Sequence, residues 1–467
     1  MNGHRYFVEP IAEHVPNKRG QLLHMVYERS QNYSGGPHCG TEQRWQDAWR
    51  DRFRKSLKDK LEDEDVDEDE KAEAKRGLES VHRYLETLVV ADKKFLEHHK
   101  DTDHELYIMT IMNMVSDYYH DSSSGNQMDV VVVRIMYLEK EEEEIDLVIN
   151  QDAEKTLASF CDWQQRINPK DIKNPNHHDI AILLTRHDIC ADNMANCGLM
   201  GLAFVATACS GDKPCAINED GGLILGIVTA HEMGHVMGCS HDQEDVSGCQ
   251  PQAEDKSFYV MSPFVHLHTN IWSNCSRGFI TALFDNDLGE CLNDEPQVSL
   301  FEDKNMLPGT IYDAKYQCQM EYPGSSVCEG TPERFCRRLL CKTEPDRCKT
   351  NGEPPADGTK CGDNKWCYDT KCVEIGERPA AINGGWSDWG SYTDCSRTCG
   401  GGVSYSSRDC NNPKPQHKGR YCMGERKRVK ICNVRKGFPP FELCSAPSMT
   451  KSRFRISLPP GNPSERI

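Results

Sequence analysis

The sequence predicts a multidomain chain. It begins with an α/β domain, a twisted and mostly parallel sheet with helices packed on it, followed by a disulfide-rich module. Three observations carry this. The 467 residues exceed a single domain. Buried-strand and helical patterns alternate from about residue 81 onward. Of 24 cysteines, 23 lie at or after Cys161, and eight fall within 318–372.

Taken in order, residues 1–76 hold one cysteine, Cys39, and a charged stretch ending in LEDEDVDEDE (61–70), which reads as a solvated acidic linker. Lys75–Arg76 follows as a proteolytic boundary, although Glu73 stands where a basic residue would strengthen it. LETLVVAD (85–92) reads as a buried strand and YIMTIMNMVSDYYH (107–120) as a helix. VVVVRIMYL (130–138) reads as a central strand and DIAILLTR (179–186) as another. The acidic run over 140–145 reads as an exposed turn. Residues 318–372 show little apolar periodicity, so bridges rather than a core must hold them. The end of the chain, FRISLPPGNPSERI, has no periodicity and reads as disordered.

Cysteine density of this kind predicts an oxidising, extracellular compartment. MNGHRYFVEPIAEHV has no apolar leader region, which predicts that the natural chain begins upstream. No run of 18 apolar residues occurs, so no membrane span is expected. Net charge is −18, yet residues 383–467 carry 15 Lys/Arg against 6 Asp/Glu, leaving −27 on the rest. A basic tail on an acidic secreted body implies sulfated glycans as partners, not nucleic acid.

The segment GGLILGIVTAHEMGHVMGCSHD (221–242) carries the chemistry. Helix formers precede HEMGH, so His231 and His235, four apart, project from one helical face. Two imidazoles there can bind one metal at about 2.0–2.1 Å each. Gly238 permits a sharp turn, and His241 returns as third ligand. Three histidines leave one coordination position open, as a catalytic zinc requires. Glu232 stands beside that position as the base for a bound water.

The extended motif, with Met261 in YVMSP, resembles the zinc motif and Met-turn of metzincins, and Asp242 is similar to the reprolysin branch. The order of modules over about residues 5–433 resembles the ADAMTS family, a disintegrin-like and metalloprotease with thrombospondin motifs. That resemblance implies a partial prodomain with an acidic linker (1–76), a zinc metalloprotease domain (77–295) and a disintegrin-like module (296–380). An elongated thrombospondin type 1 repeat (381–433) and a truncated or disordered tail (434–467) complete it. YFVEP (6–10) resembles the end of the prodomain, and HCG (38–40) its cysteine switch, in which Cys39 ligates zinc until the prodomain is removed. The implied activity is a secreted, matrix-associated zinc endopeptidase acting on extracellular matrix proteins or proteoglycans.

The resemblance also implies two calcium sites. Glu86, Asp179, the Cys291 carbonyl and Asp294 match one, with Asp171 a further addition. Asp188, Glu219 and the carbonyls of Ile189, Cys197 and Leu199 match the other. It implies the pairs Cys161–Cys215, Cys190–Cys197, Cys209–Cys291 and Cys249–Cys275, with Cys239 left as a small buried residue. In the repeat it implies a ladder of Trp386 and Trp389, with Tyr392 where a third tryptophan is usual. Arg397, Arg408, Arg426 and Arg428 are candidate partners in that ladder or in glycan binding. Thr398 resembles an O-fucosylation site and Trp386 a mannosylated tryptophan, while Asn32 and Asn274 lie in N-x-S sequons.

The match departs in places. After Cys432 no cysteine occurs until Cys444, so either Cys444 pairs with Cys399 or Cys399 is free. Residues 445–467 do not carry the cysteine-rich and spacer patterns that the resemblance implies there, and no RGD tripeptide occurs. Two other readings stand beside the active peptidase: a non-catalytic adhesion or matrix-binding protein using only its C-terminal modules, and a permanently latent precursor.

Overall fold

The structure is a computed structural model. It describes residues 6–10, 24–28, 40–41, 45–62, 79–139, 146–191, 197–211, 213–243, 249–251, 253, 258–263, 269–297, 307–328, 335–344, 347–349, 354–376, 380–397 and 401–433. Asn32, Cys39, Lys75, Arg76, the acidic runs at 63–70 and 140–145, Thr398, Cys399 and Cys444 lie outside the described residues.

The catalytic-type domain is built on a six-stranded sheet. Its strands are β3 (Gly40–Thr41), β5 (His82–Ala91), β6 (Gln127–Tyr137), β7 (Ile180–Thr185), β8 (Gly201–Ala203) and β9 (Cys215–Glu219), in the order β3-β8-β9-β7-β5-β6. All neighbours run parallel except β8 against β9. β7 is buried at every residue, because helices cover both faces of a parallel sheet. β6 is an edge strand, not the central strand expected from its valine run. It pairs only with β5 and is half-buried over most of its length. β-branched residues favour any pleated strand, so the run marks strand propensity rather than full burial.

Helices α3 (His104–His120) and α4 (Ala153–Ile167) flank the sheet, with α2 (Lys93–His98) after β5. Asp103 caps α3, accepting from the Leu106 amide, and Asp152 caps α4, accepting from the Lys155 amide. α5 (Leu225–Val236) is buried along its whole length and carries the histidine motif. α6 (Asn274–Asp285) follows, capped by Ser273. The four bridges implied for this domain form as expected.

Helix α1 (Trp45–Glu62) was not expected within the N-terminal segment. Ala48, Trp49 and Phe53 on it join the main core of the domain. Trp45, Trp49 and Phe53 recur four apart and form one apolar stripe.

In the next module, α7 (Pro308–Ile311) and α8 (Ala314–Glu321) precede two small sheets. Four bridges hold it: Cys318–Cys341, Cys328–Cys348, Cys336–Cys367 and Cys361–Cys372. Tyr312 seats the module on α3 through an edge contact with Tyr107 at 5.7 Å. In the repeat, β18 (Gly402–Ser407) pairs with β20 (Lys427–Cys432), bridged by Cys395–Cys432 and Cys410–Cys422. The repeat also touches the catalytic-type domain. β19 (Gly424–Glu425) pairs with β4 (Glu79–Ser80), Lys418 bonds Asp117 at 2.7 Å, and Arg426 pairs with Asp285.

Candidate metal centre and peptidase site

Three imidazoles meet where α5 ends. The Nε2 atom of His241 lies 3.2 Å from that of His231 and 3.2 Å from that of His235. The spacing is set by the backbone. His231 and His235 sit one helical turn apart on α5, and Gly238, at φ +96°, turns the chain so that His241 comes back beneath them.

The outer nitrogens are fixed as donors. His231 Nδ1 donates to the Val260 carbonyl at 2.7 Å, and His235 Nδ1 donates to the Cys239 carbonyl at 2.8 Å. A nitrogen that donates leaves its partner nitrogen with a free lone pair, so both Nε2 atoms face inward as acceptors. Burial lowers His231 to about 4 and pulls His235 well below the ordinary imidazole range, which keeps both rings neutral. A tetrahedral zinc with bonds of about 2.0–2.1 Å sets its ligand atoms roughly 3.3–3.4 Å apart, so this donor set fits the ion.

Glu232 is fully buried beside His231. Its carboxylate lies against β8 at Gly201, where a Cβ would stand 2.6 Å from Oε1. Nothing in the sequence marked Gly201, because the contact joins strand to helix. Met261 underlies α5: a Cβ on Gly234 would lie 2.5 Å from its sulfur. The Met261 carbonyl accepts from the Asp242 amide at 2.7 Å, and Val260 next to it orients His231. Asp242 accepts from Ser273 Oγ at 2.6 Å, which ties the third histidine's segment to the start of α6. Burial pushes Asp242 up to about 7. Cys239 is buried and unpaired, as expected.

Away from this centre, the structure brings Glu86, Asp179 and Asp294 together. Burial and the Asp294 charge push Glu86 up to about 7, and burial, Glu86 and Asp294 together push Asp179 well above the carboxylate range. Cys291 lies on the short helix Glu290–Asn293, which packs on β5. Asp171 is exposed and its carboxylate accepts from the Lys173 amide at 3.0 Å. In the second group, Glu219 accepts from the Ile189 amide at 3.0 Å. Burial first, then Asp188 among its neighbours, pushes Glu219 up to about 7.

In the repeat, the Arg408 guanidinium lies 4.9 Å from the Trp386 ring and 4.5 Å from the Trp389 ring, and Arg428 lies 4.0 Å from Trp389. Lys430, absent from the expected partners, stands 3.9 Å from Tyr392. Arg428 and Lys430 are two apart on β20 and so share a face. Arg426 precedes that strand and pairs with Asp285 of α6, while Arg397 meets the Asn433 amide through its carbonyl. Neither is placed in the stack. Asn274, the sequon residue at the start of α6, is exposed. Among the described residues no helix is long and apolar enough to cross a membrane.

Comparison with known proteins agrees with this geometry. Residues 83–296 match the reprolysin (M12B) family of zinc metalloproteases. Residues 308–373, read from sequence as disintegrin-like, match ADAMTS cysteine-rich domain 2, and 387–436 match the thrombospondin type 1 domain. A disintegrin and metalloproteinase with thrombospondin motifs 12 of Mus musculus is 40% identical over 435 residues, 92% of this chain and 26% of the relative. The Homo sapiens protein with thrombospondin motifs 7 is 43% identical over 76% of this chain and 21% of its own length. The Homo sapiens protein with thrombospondin motifs 6 is 37% identical over 92% of this chain and 40% of its own length. The chain thus spans between about a fifth and two-fifths of the length of these relatives. With a zinc metalloprotease domain, a cysteine-rich module and a thrombospondin type 1 repeat in that order, the chain belongs to the ADAMTS family.

Proposed function

We propose that the chain is a secreted zinc-dependent endopeptidase that cuts extracellular matrix proteins or proteoglycans and is latent until its N-terminal segment is removed. The observation that carries this is the convergence of three Nε2 atoms, that of His241 lying 3.2 Å from each of the other two, with two of the rings locked by backbone carbonyls. His231, His235 and His241 would hold zinc, which when bound supplies Lewis-acid activation of a water and of the peptide carbonyl. Glu232 takes the proton of the attacking water and passes it to the leaving amine nitrogen. Its buried setting, closed by Gly201, keeps bulk water from competing for that proton.

Latency is supported by β3. Gly40, which follows Cys39 directly, pairs with Leu202 of β8, the strand that forms the sheet's edge once β3 is removed, and β8 holds Gly201 against Glu232. An extended segment added to that edge excludes a substrate strand from it. Calcium is supported at the first acidic group by the mutual repulsion of Glu86, Asp179 and Asp294, and at the second by that of Glu219 and Asp188, which a divalent cation would relieve. In the repeat, Arg408 and Arg428 are engaged by rings, and Arg426 and Lys418 by carboxylates. Lys430 is likewise engaged by Tyr392, so sulfated glycans are left the exposed basic side chains outside these contacts, Lys414 and Arg420 among them.

The test is the Glu232→Gln chain. It is expected to retain one zinc per molecule and lose peptidase activity by about 10²–10⁴-fold. Undiminished cleavage by folded, zinc-loaded Glu232→Gln protein would overturn the assignment.

A further inference from the structure

Helix α1 reaches the histidine turn from a segment the chemistry above does not use. Trp49 is 1% exposed, and its indole Nε1–H donates to the Gly238 carbonyl at 2.9 Å. The ring fills the space over Gly238, where a Cβ would meet it at 2.6 Å. Phe279 of α6 forms the floor, with ring centroids 6.4 Å from Trp49 and 5.2 Å from Trp45. Arg52 donates to the carbonyls of Ala208 at 2.8 Å and Leu288 at 3.1 Å, and Lys55 to that of Ser210 at 2.8 Å. The loop at 206–208 in turn covers the end of α5, through bonds from the amides of Ala206 to His235 and of Ala208 to Val236.

The turn gripped in this way does two tasks. Cys239, next to Gly238, supplies the carbonyl that orients His235, and the chain beyond it delivers His241. A side chain anchored on the Gly238 carbonyl therefore restrains the path between two candidate ligands.

We propose that this socket is a peptide-binding site for an amphipathic helix bearing tryptophan with arginine three residues later. Phe279 forms its floor, and the carbonyls of Ala208, Ser210, Gly238 and Leu288 form its rim. In the uncut chain α1 occupies it and braces the histidine turn, and cleavage after Arg76 frees it for helices of the same pattern. The idea rests on the peptidase reading for its consequence. Its test does not, because amide exchange at the turn is read without substrate.

The experiment uses the full chain, wild type and Trp49→Ala, followed by hydrogen exchange resolved to peptides. Trp49→Ala is expected to speed exchange over 236–242 by about tenfold or more while β7 stays protected. A synthetic 45–62 peptide in excess is expected to restore protection, and the same peptide carrying Trp49→Ala is not. Two further variants cover a failure of Trp49→Ala to fold. Trp49→Phe keeps a ring but loses the N–H donor, and Arg52→Ala loses two rim bonds; each is expected to give intermediate exchange at the turn. Unchanged exchange over 236–242 in these folded variants, or a peptide without effect on the opened turn, would overturn the proposal. Failure of the peptidase reading would show separately, as a wild-type chain that takes up no zinc.

Discussion

Glu232 lies against β8 because position 201 has no side chain, and its carboxylate occupies the space that a Cβ would take there. A methyl group there would stand 2.6 Å from Oε1, so the carboxylate must shift away. Displacement of a proton-transfer group by about 1 Å costs on the order of 10²-fold in rate. Gly201→Ala is therefore expected to lower kcat by about that factor with zinc content unchanged and KM little altered. Steady-state kinetics beside metal analysis checks this, and a wild-type kcat would show that Glu232 is placed by something else. The same scale explains two of the histidines: the outer nitrogens of His231 and His235 are committed to the Val260 and Cys239 carbonyls, so those rings are oriented before any metal arrives.

At the scale of elements, the repeat has too little buried apolar surface to hold itself by packing. β18 and β20 form only a two-stranded ribbon. The alternating rings and cations, with Arg408 between Trp386 and Trp389, supply what a core would. Arg408 also donates from Nε to the Glu425 carbonyl at 2.7 Å. Arg408→Ala is expected to destabilise the repeat by about 1–2 kcal/mol. Denaturant unfolding followed by tryptophan fluorescence reads this, and Arg408→Lys is expected to recover part of the loss. An unaltered midpoint in Arg408→Ala would make the ladder incidental to stability.

Two contacts define the whole molecule. One is the seat of the repeat on the first domain. Arg426 and Asp285 are 15% and 19% exposed, so removing Arg426 leaves a largely desolvated carboxylate with the longer Lys427 contact at 3.8 Å. Arg426→Ala is expected to cost about 3 kcal/mol. The exchanged pair Asp285→Arg with Arg426→Asp is expected to regain much of it, which a double-mutant cycle on thermal unfolding measures. The other is the acidic group joining β5, β7 and the segment after α6. Burial, then the Asp294 charge, pushes Glu86 up to about 7, above the ordinary carboxylate value of about 4.3. A carboxyl raised on folding favours the folded state below its unfolded pKa, and that favour is lost as pH rises through the folded pKa. Without calcium and with zinc held saturating, stability is thus expected to fall between pH 4.5 and 7. Calcium added at pH 7 is expected to raise the melting temperature. Melting temperatures with and without calcium across that range decide it, and curves that coincide would argue against a cation there.

What the sequence by itself determined is local. HExxHxxGxxHD is legible because helical spacing and one glycine turn suffice to bring three imidazoles together, and the cysteine distribution reports the compartment without knowledge of any pairing. Strands 85–92 and 179–186 and helix 107–120 were likewise legible from periodicity. The four pairings of the first domain came from family resemblance rather than from the residues. The tertiary structure decided the rest. It put β6 at the edge, since a valine run does not report how many neighbours a strand has. It drew α1 into the core, since its three aromatics gain from burial only once α6 and the histidine turn provide the socket. It turned Arg426 to Asp285 and Arg428 to Trp389, two residues apart with different fates. Contacts between segments distant in sequence depend on how the layers dock, and no local pattern encodes that.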